Sequence, residues 1–572
     1  MSINEKMKNV ILKMKENLSI LDILVSLMLG IAFAVLQSYY NKGYGEININ
    51  ILISGLGLSI LFMFLTILVR LMIIFIDSRN SNTKKLDIIF NKSKNIYKYR
   101  LIIFALIIFL CWLPILSGLY PGTFSNDTWK QLAQFYYLDL GGTLNDSNPV
   151  FVTLLIGSMI VPFSIVTDKW HLFMFIYVII QAIATSFVFA YSLIYAKEKL
   201  KLNNKFIVFF LIIYCLLPIF PGSAQAINKD ALFSWIYVLF VINYIEIVRT
   251  NGENLKDKKS LVVIIILSIL CSLTKKVGMY VVLASFIIMF LTKILNKRRL
   301  MIPVVCTIIF MMIIMPVLFK QFGIVKGGQQ EKYSLLFQQT ARYLKYHIDD
   351  TTEEEIQIIE EVIGKDVNEI VEVYNPISAD PVKGFVQRTE DENYIKYLAV
   401  WVKQGLRHPM TYIDAANAMI SGWISFKEYK PLMNMDWHSQ QNVFVTPKWV
   451  AERDVTKQSA EFIQNMYDKI YKIPILGGVL SIGVYTALIP CFSLCSVIKY
   501  RNKRKNEKKI QYWVAIVPMI FSLIFGCFLA PLSDNIEGQR YLYPVIYTSL
   551  ITLMWVIYCI KNRNVESEIN SK

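Results

Sequence analysis

The feature that most constrains this chain is a series of apolar runs, several of them close to 20 residues long and free of charge. About 20 apolar residues are what an α-helix needs to cross the hydrocarbon core of a bilayer. Only 18% of the residues are charged, against about 25% in a typical soluble protein. The sequence therefore predicts an all-α polytopic membrane protein with roughly 12–14 transmembrane helices. It excludes a soluble enzyme, a secreted domain and a DNA-binding protein.

The distribution of lysine and arginine orients these runs in the membrane. The net charge of +17 comes largely from basic clusters in the N-terminal tail and in the loops 78–100 and 499–509. Such clusters favour the cytoplasmic side. The chain is therefore predicted to lie in a membrane with these clusters on the cytoplasmic side. The segments predicted to lie outside are 120–148, 222–230, 320–472 and 531–540.

One conflict remains in this topology. Four lysines between 197 and 205 favour the cytoplasm, whereas loop 120–148 is predicted outside, and two apolar runs separate them. An odd number of crossings is required. Either the run 149–166 does not cross fully, or the lysine loop breaks the orientation rule.

The segment lengths predict three parts. Residues 1–319 form a transmembrane module, 320–472 a mainly helical extracytoplasmic domain, and 473–572 the last three membrane helices and a cytoplasmic tail. Within the domain, periodicity predicts a helix at 351–363 after a threonine cap and amphipathic helices at 393–406 and 411–424. All eight cysteines lie in or beside apolar runs, so no disulfide framework or zinc site is predicted.

The loop 119–155 carries the first candidate residues. Asp127 lies in a Ser-Asn-Asp-Thr turn, where it either caps the following helix or does chemistry. Asp146 precedes Asn148-Pro149, and it either caps the next segment or acts as a second acid. The sequence does not decide which of the two is the base.

Further candidates lie at other predicted outer positions. Lys229-Asp230 opens an apolar run, and a Lys-Asp pair there can simply place its charges at the interface. Lys275 is a cation where positive charge is disfavoured, which indicates either anion binding or pairing with Asp230. Arg540 precedes the last run, and its guanidinium suits phosphate. Acids beside cations on one side fit a phosphate-linked lipid substrate, because the acid can accept a proton and the cations can stabilise a departing phosphate.

These motifs resemble the GT-C superfamily of integral-membrane glycosyltransferases, such as protein O-mannosyltransferases and the aminoarabinose transferases of lipid A. A closer resemblance, over most of the chain, is to an uncharacterised family of bacterial multi-spanning proteins. The residues that carry the resemblance are Tyr120-Pro121-Gly122, Ser125-Asn126-Asp127-Thr128, Asn148-Pro149, Lys229-Asp230, Gln338-Gln339-Thr340-Ala341-Arg342 and Arg540-Tyr541.

The resemblance implies transfer of a monosaccharide, usually with inversion, from a polyprenyl-phosphate carrier to a cell-surface polymer or lipid. It implies a location in the bacterial cytoplasmic membrane. It also implies Asp127 as the catalytic base or the acceptor-binding residue and Asp230 as its helper, with Asp146 as the other candidate acid. The candidates for substrate binding are Lys229, Lys275, Arg540, Asn148, Gln339 and Arg342. Many relatives have His-Pro at Asn148-Pro149 and a second acid beside Asp127. With a lone carboxylate, a metal is not expected and no cofactor is predicted.

Two other classes of function stay open. A lipid-linked sugar flippase or transporter would concentrate ionisable groups at mid-membrane, and the runs carry almost none there. A non-catalytic cell-envelope assembly protein would need no such site at all. Six aromatic residues of the domain would stack on sugars in a transferase, or else pack the domain or anchor it at the interface. They are Trp401, Tyr412, Trp423, Tyr429, Trp437 and Trp449.

Overall fold

The computed structural model describes residues 17–45, 47–78, 94–138, 141–328, 330–384, 391–424, 457–500, 511–529 and 540–562. Its α-helices are α1 (Ile20–Lys42), α2 (Ile49–Ser78), α3 (Lys94–Gly118), α4 (Asn126–Tyr136), α5 (Val150–Thr167), α6 (Trp170–Glu198), α7 (Asn204–Leu216), α8 (Ile219–Ala224), α9 (Lys229–Arg249), α10 (Lys258–Thr274), α11 (Lys276–Leu291), α12 (Lys297–Ile309), α13 (Met315–Gln321), α14 (Ser334–His347), α15 (Glu353–Ile363), α16 (Val367–Val373), α17 (Asp380–Lys383), α18 (Asp391–Arg407), α19 (Pro409–Ser421), α20 (Lys457–Tyr471), α21 (Pro474–Leu480), α22 (Ile489–Lys499), α23 (Val517–Leu529) and α24 (Tyr543–Lys561).

Short segments complete the secondary structure. The strands β1 (Thr123–Phe124) and β2 (Ala226–Ile227) form a parallel pair. One π-helical turn joins α12 to α13 and another precedes α22. The 3₁₀ turns are Glu253–Lys256, Gln330–Tyr333, Ile348–Asp350 and Tyr512–Ile516.

The long apolar helices are the segments that could span a membrane. Eight helices in the described residues are long and apolar enough to cross a bilayer, and four shorter apolar helices have 10–17 residues. Many large apolar side chains on α1 and α2 face outward, as expected where lipid is the solvent. The class of all-α polytopic membrane protein is confirmed, whereas the count of 12–14 crossings stays a prediction.

Contacts at the two ends of α5 bear on the topological conflict at 149–166. Asn148, just before α5, bonds to Asp127, and Trp170, just after it, lies 6.2 Å from Tyr136 between ring centroids. The helix runs alongside α4, with Gln131 donating to Thr153. Both ends of α5 therefore contact the connection that follows α3. We call this side of the bundle the Asp127 side.

The return across the bundle is made by α6. Its first turn contacts Tyr120 at the end of α3, with the rings of Tyr120 and His171 6.5 Å apart. Its last turn pairs Glu198 with Arg100 at the other end of α3. Lys561, the last residue of α24, donates to the Lys201 carbonyl at 2.7 Å. The lysine loop thus lies opposite the Asp127 side. These contacts favour the alternative in which the run 149–166 does not cross fully, and the number of crossings stays a prediction.

The polar region formed by α14 to α19 has a hydrophobic core of its own. Phe337, Ile359, Val362, Ile370 and Tyr397 are buried together in it. The predicted helix after a threonine cap is confirmed, because Thr352 accepts from the Glu355 amide at 3.3 Å and α15 follows. The two predicted amphipathic helices correspond to α18 and α19. Of the aromatic residues considered for sugar stacking, Tyr412 and Trp423 are buried, whereas Tyr429, Trp437 and Trp449 lie outside the described residues.

The polar region also contacts the first helical hairpin. Arg342 donates to the Gly43 carbonyl at 2.9 Å, just after α1. The hydroxyl of Tyr39 donates to Asp414 on α19, and Ala418 packs against Leu36 and Tyr39. These contacts fix the polar region against the end of α1.

Candidate functional site

A short parallel strand pair brings together the two loops that carry the site. Thr123 pairs with Ala226, and Phe124 pairs with Ile227. The buried side chain of Gln181 supports β2 by donating to the carbonyls of Ala224 at 2.7 Å and Ala226 at 2.9 Å. Since α4 and α9 begin directly after these strands, their first turns are held side by side.

Asp127 lies in the first turn of α4 but does not cap it. The N-cap is Ser125, whose hydroxyl lies 3.1 Å from that of Thr128. The Asp127 carboxylate instead accepts from the Lys229 ammonium at 2.8 Å and from the Arg540 guanidinium at 2.9 Å. The interpretation of Asp127 as a helix cap is therefore wrong.

Asn148 orients this carboxylate and its main partner. Its amide oxygen accepts from Lys229 Nζ at 2.5 Å, and its amide nitrogen donates to Asp127 Oδ1 at 3.4 Å. Asn148 itself is buried. The amide thus contacts both members of the ion pair and limits their movement.

Asp230 forms the second half of the arrangement. Its side chain is fully buried and lies 2.6 Å from Lys275 Nζ. Arg540 Nε lies 3.7 Å from the other carboxylate oxygen of Asp230. Because Arg540 also contacts Asp127, one guanidinium joins the two acids. We call the group Asp127, Asn148, Lys229, Asp230, Lys275 and Arg540 the ion-pair cluster.

Asp146 lies beside this cluster in a more exposed pair. Its carboxylate is 3.3 Å from Lys276 Nζ, and the two side chains are 27% and 51% exposed. Its backbone amide donates to the Val325 carbonyl at 2.8 Å. The N-cap of α5 is Pro149, so the interpretation of Asp146 as that cap is wrong. Since Lys276 follows Lys275, the second pair is adjacent to the first.

The aromatic ring of Tyr541 lies beside the cations of the ion-pair cluster, and sequence reasoning had given this residue no role. Lys275 Nζ lies 5.3 Å from the centre of its ring, and the Arg540 guanidinium carbon lies 5.2 Å from it. An aromatic face at this distance attracts a cation. The signal in the sequence is that Tyr541 belongs to the Arg540-Tyr541 pair, one of the motifs that carry the family resemblance.

The charge balance of the ion-pair cluster favours an anion. Burial alone would raise the pKa of Asp127, but Lys229 and then Arg540 outweigh it and hold that pKa well below the ordinary value. Asp127 is therefore ionised at neutral pH. Three cations then face two carboxylates, and each carboxylate is already paired with cations. Such acids are poor ligands for a divalent metal, whereas the surplus positive charge suits a phosphate.

Gln339 and Arg342 lie elsewhere in the described structure. Gln339 donates to the Tyr412 carbonyl and accepts from Trp401. Arg342 contacts Gly43, Tyr374 and Asp414. No hydrogen bond or ion pair of these two side chains joins them to the ion-pair cluster as the structure describes it. Their contacts fix the polar region, and a role in substrate binding stays a prediction.

Comparison with known proteins places the chain in a family without assigning its chemistry. The model of a family of unknown function, DUF6020, matches residues 139–570. Comparison with the curated proteins and with the solved structures gave no match. The match covers most of the cluster, from Asn148 to Arg540, but not Asp127.

Proposed function

Because the chain belongs to DUF6020, a family of unknown function, we propose its activity from the chemistry of its own site. The proposed activity is that of a membrane glycosyltransferase of GT-C type. It moves a monosaccharide from a polyprenyl-phosphate carrier to a polymer or lipid at the outer face of the bacterial cytoplasmic membrane.

The observation that carries the proposal is the bridge that Arg540 makes between Asp127 and Asp230. Contacts of 2.9 Å and 3.7 Å bring an acid from the first loop, an acid from the start of α9 and a cation from before α24 into one group. A lipid phosphate lies at the membrane surface, and these residues lie at the ends of apolar helices. The polar headgroup of a lipid-linked sugar would therefore reach these residues at the membrane surface.

The cations are the proposed binding site of the donor phosphate. Lys229 and Arg540 already hold one anionic group, the Asp127 carboxylate, in the resting structure. A phosphate oxygen offers the same charge and the same acceptor geometry. When the donor enters, these cations turn from the carboxylate to the phosphate.

The transfer step then uses the released carboxylate. Asp127 loses the partners that depress its pKa, so it becomes a better proton acceptor. The oxygen of the acceptor hydroxyl forms a bond to the anomeric carbon, and the bond between that carbon and the phosphate oxygen breaks. The phosphate leaves with the electron pair, stabilised by Lys229 and Arg540, and Asp127 takes the hydroxyl proton. Asp230 keeps Lys275 and Arg540 in place.

The test compares surface glycans by mass spectrometry in four strains. These carry no copy of the gene, the native chain, the Asp127→Asn chain, or the Asp168→Asn chain at equal expression. Asp168 follows α5 and has a backbone φ of +55°, which asparagine tolerates, so Asp168→Asn is a matched control. We expect one defined sugar mass to be lost in the deletion and in Asp127→Asn only.

Two results would contradict the proposal. If deletion changes no glycan, transfer of a sugar to the cell surface is wrong. If deletion removes a sugar but Asp127→Asn retains it, Asp127 is not the base. An Asp146→Asn strain then shows whether the second acid takes that role.

A flippase or an assembly protein is the alternative. A flippase variant would lose every sugar that depends on its lipid carrier, whereas a transferase variant loses one linkage. An assembly protein would show no dependence on a single carboxylate. A carrier would need charged residues in a cavity at the bilayer midplane. The Asp22–Arg70 pair between α1 and α2 instead contacts Asn17 and Ser496, which lie near helix ends. This pair therefore does not support the carrier alternative.

A further inference from the structure

Two of the four histidines of the chain meet in the polar region, far from the ion-pair cluster in sequence. His347 is the last residue of α14, and His408 is the N-cap of α19. Their imidazole rings are nearly parallel, with centroids 3.8 Å apart and an interplanar angle of 8°. Asp350, in the 3₁₀ turn after α14, accepts a hydrogen bond from His408 Nε2 at 2.8 Å.

The three side chains present a compact set of metal-binding atoms. One nitrogen from each histidine and one oxygen from Asp350 all lie within 4.8 Å of one another. In a tetrahedral zinc site the metal–nitrogen distance is about 2.0–2.1 Å, which places neighbouring ligand atoms about 3.3 Å apart. Because the two rings are stacked, their nitrogen lone pairs cannot meet at one ion as they stand. At least one imidazole must rotate about its Cβ–Cγ bond when the ion binds.

Neighbouring residues hold this arrangement in place. Thr411 Oγ1 lies 2.9 Å from His347 Nε2. Arg407 donates to the Asp350 carbonyl at 2.8 Å, and it is itself held by two bonds of 3.0 Å to Glu355. Contacts of this kind orient metal ligands in known sites. The histidines are half-buried and Asp350 is exposed, so water can complete the coordination.

We propose that His347, Asp350 and His408 form a binding site for a divalent transition metal of the zinc class. Zinc accepts two imidazole nitrogens and one carboxylate, whereas calcium and magnesium prefer a site made of oxygen atoms. The metal would join the end of α14 to the start of α19 and thereby brace the polar region. The site is independent of the transferase proposal, since it uses none of the same residues.

The experiment titrates zinc chloride into the purified, tag-free full chain after removal of metals by a chelator, with isothermal calorimetry as the readout. We expect the wild type to bind about one more equivalent of zinc than the His347→Gln/His408→Asn chain. The asparagine at 408 keeps a residue that can serve as an N-cap. Asp350→Asn should weaken that equivalent by at least about 10-fold, and Asp349→Asn, the neighbouring acid outside the set, should leave it unchanged.

The difference between chains is the decisive quantity, because the cysteines of the chain can bind zinc elsewhere. Equal binding of zinc by the wild type and by the His347→Gln/His408→Asn chain would overturn the proposal. A loss in Asp349→Asn as large as that in Asp350→Asn would show attraction by surface charge instead of coordination.

Discussion

Two buried ionic groups of this protein differ in how completely they are satisfied. The Asp22–Arg70 pair between α1 and α2 is closed, with contacts of 2.7 Å and 2.8 Å to the two carboxylate oxygens. Both side chains are fully buried, and Arg70 also donates to Ser496 at 3.0 Å. The ion-pair cluster has more cations than acids, and its Asp127 and Lys229 side chains keep 19% and 15% of their exposure.

The difference separates a structural ion pair from one that can exchange partners. A buried ion pair is tolerated only when hydrogen bonds satisfy its remaining donors and acceptors. Ser19, Asn17 and Ser496 make these hydrogen bonds for Asp22–Arg70. A cluster with surplus positive charge and partial access to water can release one anion and accept another. We therefore expect the first group to govern folding and the second to govern ligand binding.

The largest expected effect is on the closed pair. Arg70→Met should destabilise the protein by about 3–5 kcal/mol, because it leaves the Asp22 carboxylate buried without a partner. Adding Asp22→Leu should restore most of the lost stability, since replacing a buried ion pair by apolar residues of similar volume often leaves the stability unchanged. Thermal unfolding of the protein in detergent measures both. A double variant no more stable than Arg70→Met would show that the pair has another role.

The next effect falls on the open cluster. Arg540→Gln should lower sugar transfer by about 10²–10³-fold, the typical cost of losing one donor that stabilises developing charge. Its thermal midpoint should fall less than that of Arg70→Met. Lys276→Met is the matched control, because that exposed cation pairs with Asp146 outside the ion-pair cluster. Equal losses in the two variants would mean that the cluster acts through net charge alone.

A smaller effect is expected at the strand pair that positions the cluster. Gly122 has a φ of +120°, and a Cβ there would lie 2.7 Å from Val178 Cγ2 and 3.0 Å from the Gln225 carbonyl. Gly122→Ala should cost about 1–3 kcal/mol and lower transfer, because β1 must shift away from β2. Gly57→Ala, at a position with open space, is the control and should change neither quantity appreciably.

The smallest expected effect is that of pH on the stability that Asp127 contributes, which should not change near neutral pH. The folded pKa of Asp127 is depressed below the ordinary value of about 3.9. Its ion pairs therefore contribute stability that is present above that value and is lost as the pH falls through the folded pKa. The difference in thermal midpoint between the wild type and Asp127→Asn should stay constant from pH 8 to pH 5. A difference that shrinks over this range would show an Asp127 that titrates near neutrality in the resting protein.

Sequence alone could predict the helical membrane class, because charge-free runs have few other structures available to them. It could also place Asp127, Lys229, Lys275 and Arg540 near one another, since all lie at turns on the same predicted side. It could not decide whether Asp127 caps its helix, because Ser125 in the same turn caps equally well. Nor could it show that α5 returns to the Asp127 side, because a helix of 18 residues with this composition is long and apolar enough to cross.

Apart from the pairing of Lys275 with Asp230, which was one of two alternatives and is present in the structure, the long-range partners were beyond sequence reasoning. Asp22 and Arg70 were each visible only as a charge near a helix end, and their pairing depends on how α1 packs on α2. The His347–His408 stack depends likewise on the packing of α14 against α19. The strands β1 and β2 have two residues each, too few for an alternating pattern.

The most direct test of the open cluster is binding of a polyprenyl phosphate, measured by native mass spectrometry of the purified chain. We expect one bound polyprenyl phosphate on the wild type and on Arg70→Met/Asp22→Leu, and its loss from Arg540→Gln. A competing lipid of the same chain length without the phosphate should not bind. Equal occupancy of the wild type and Arg540→Gln would contradict the claim that the ion-pair cluster is a phosphate site.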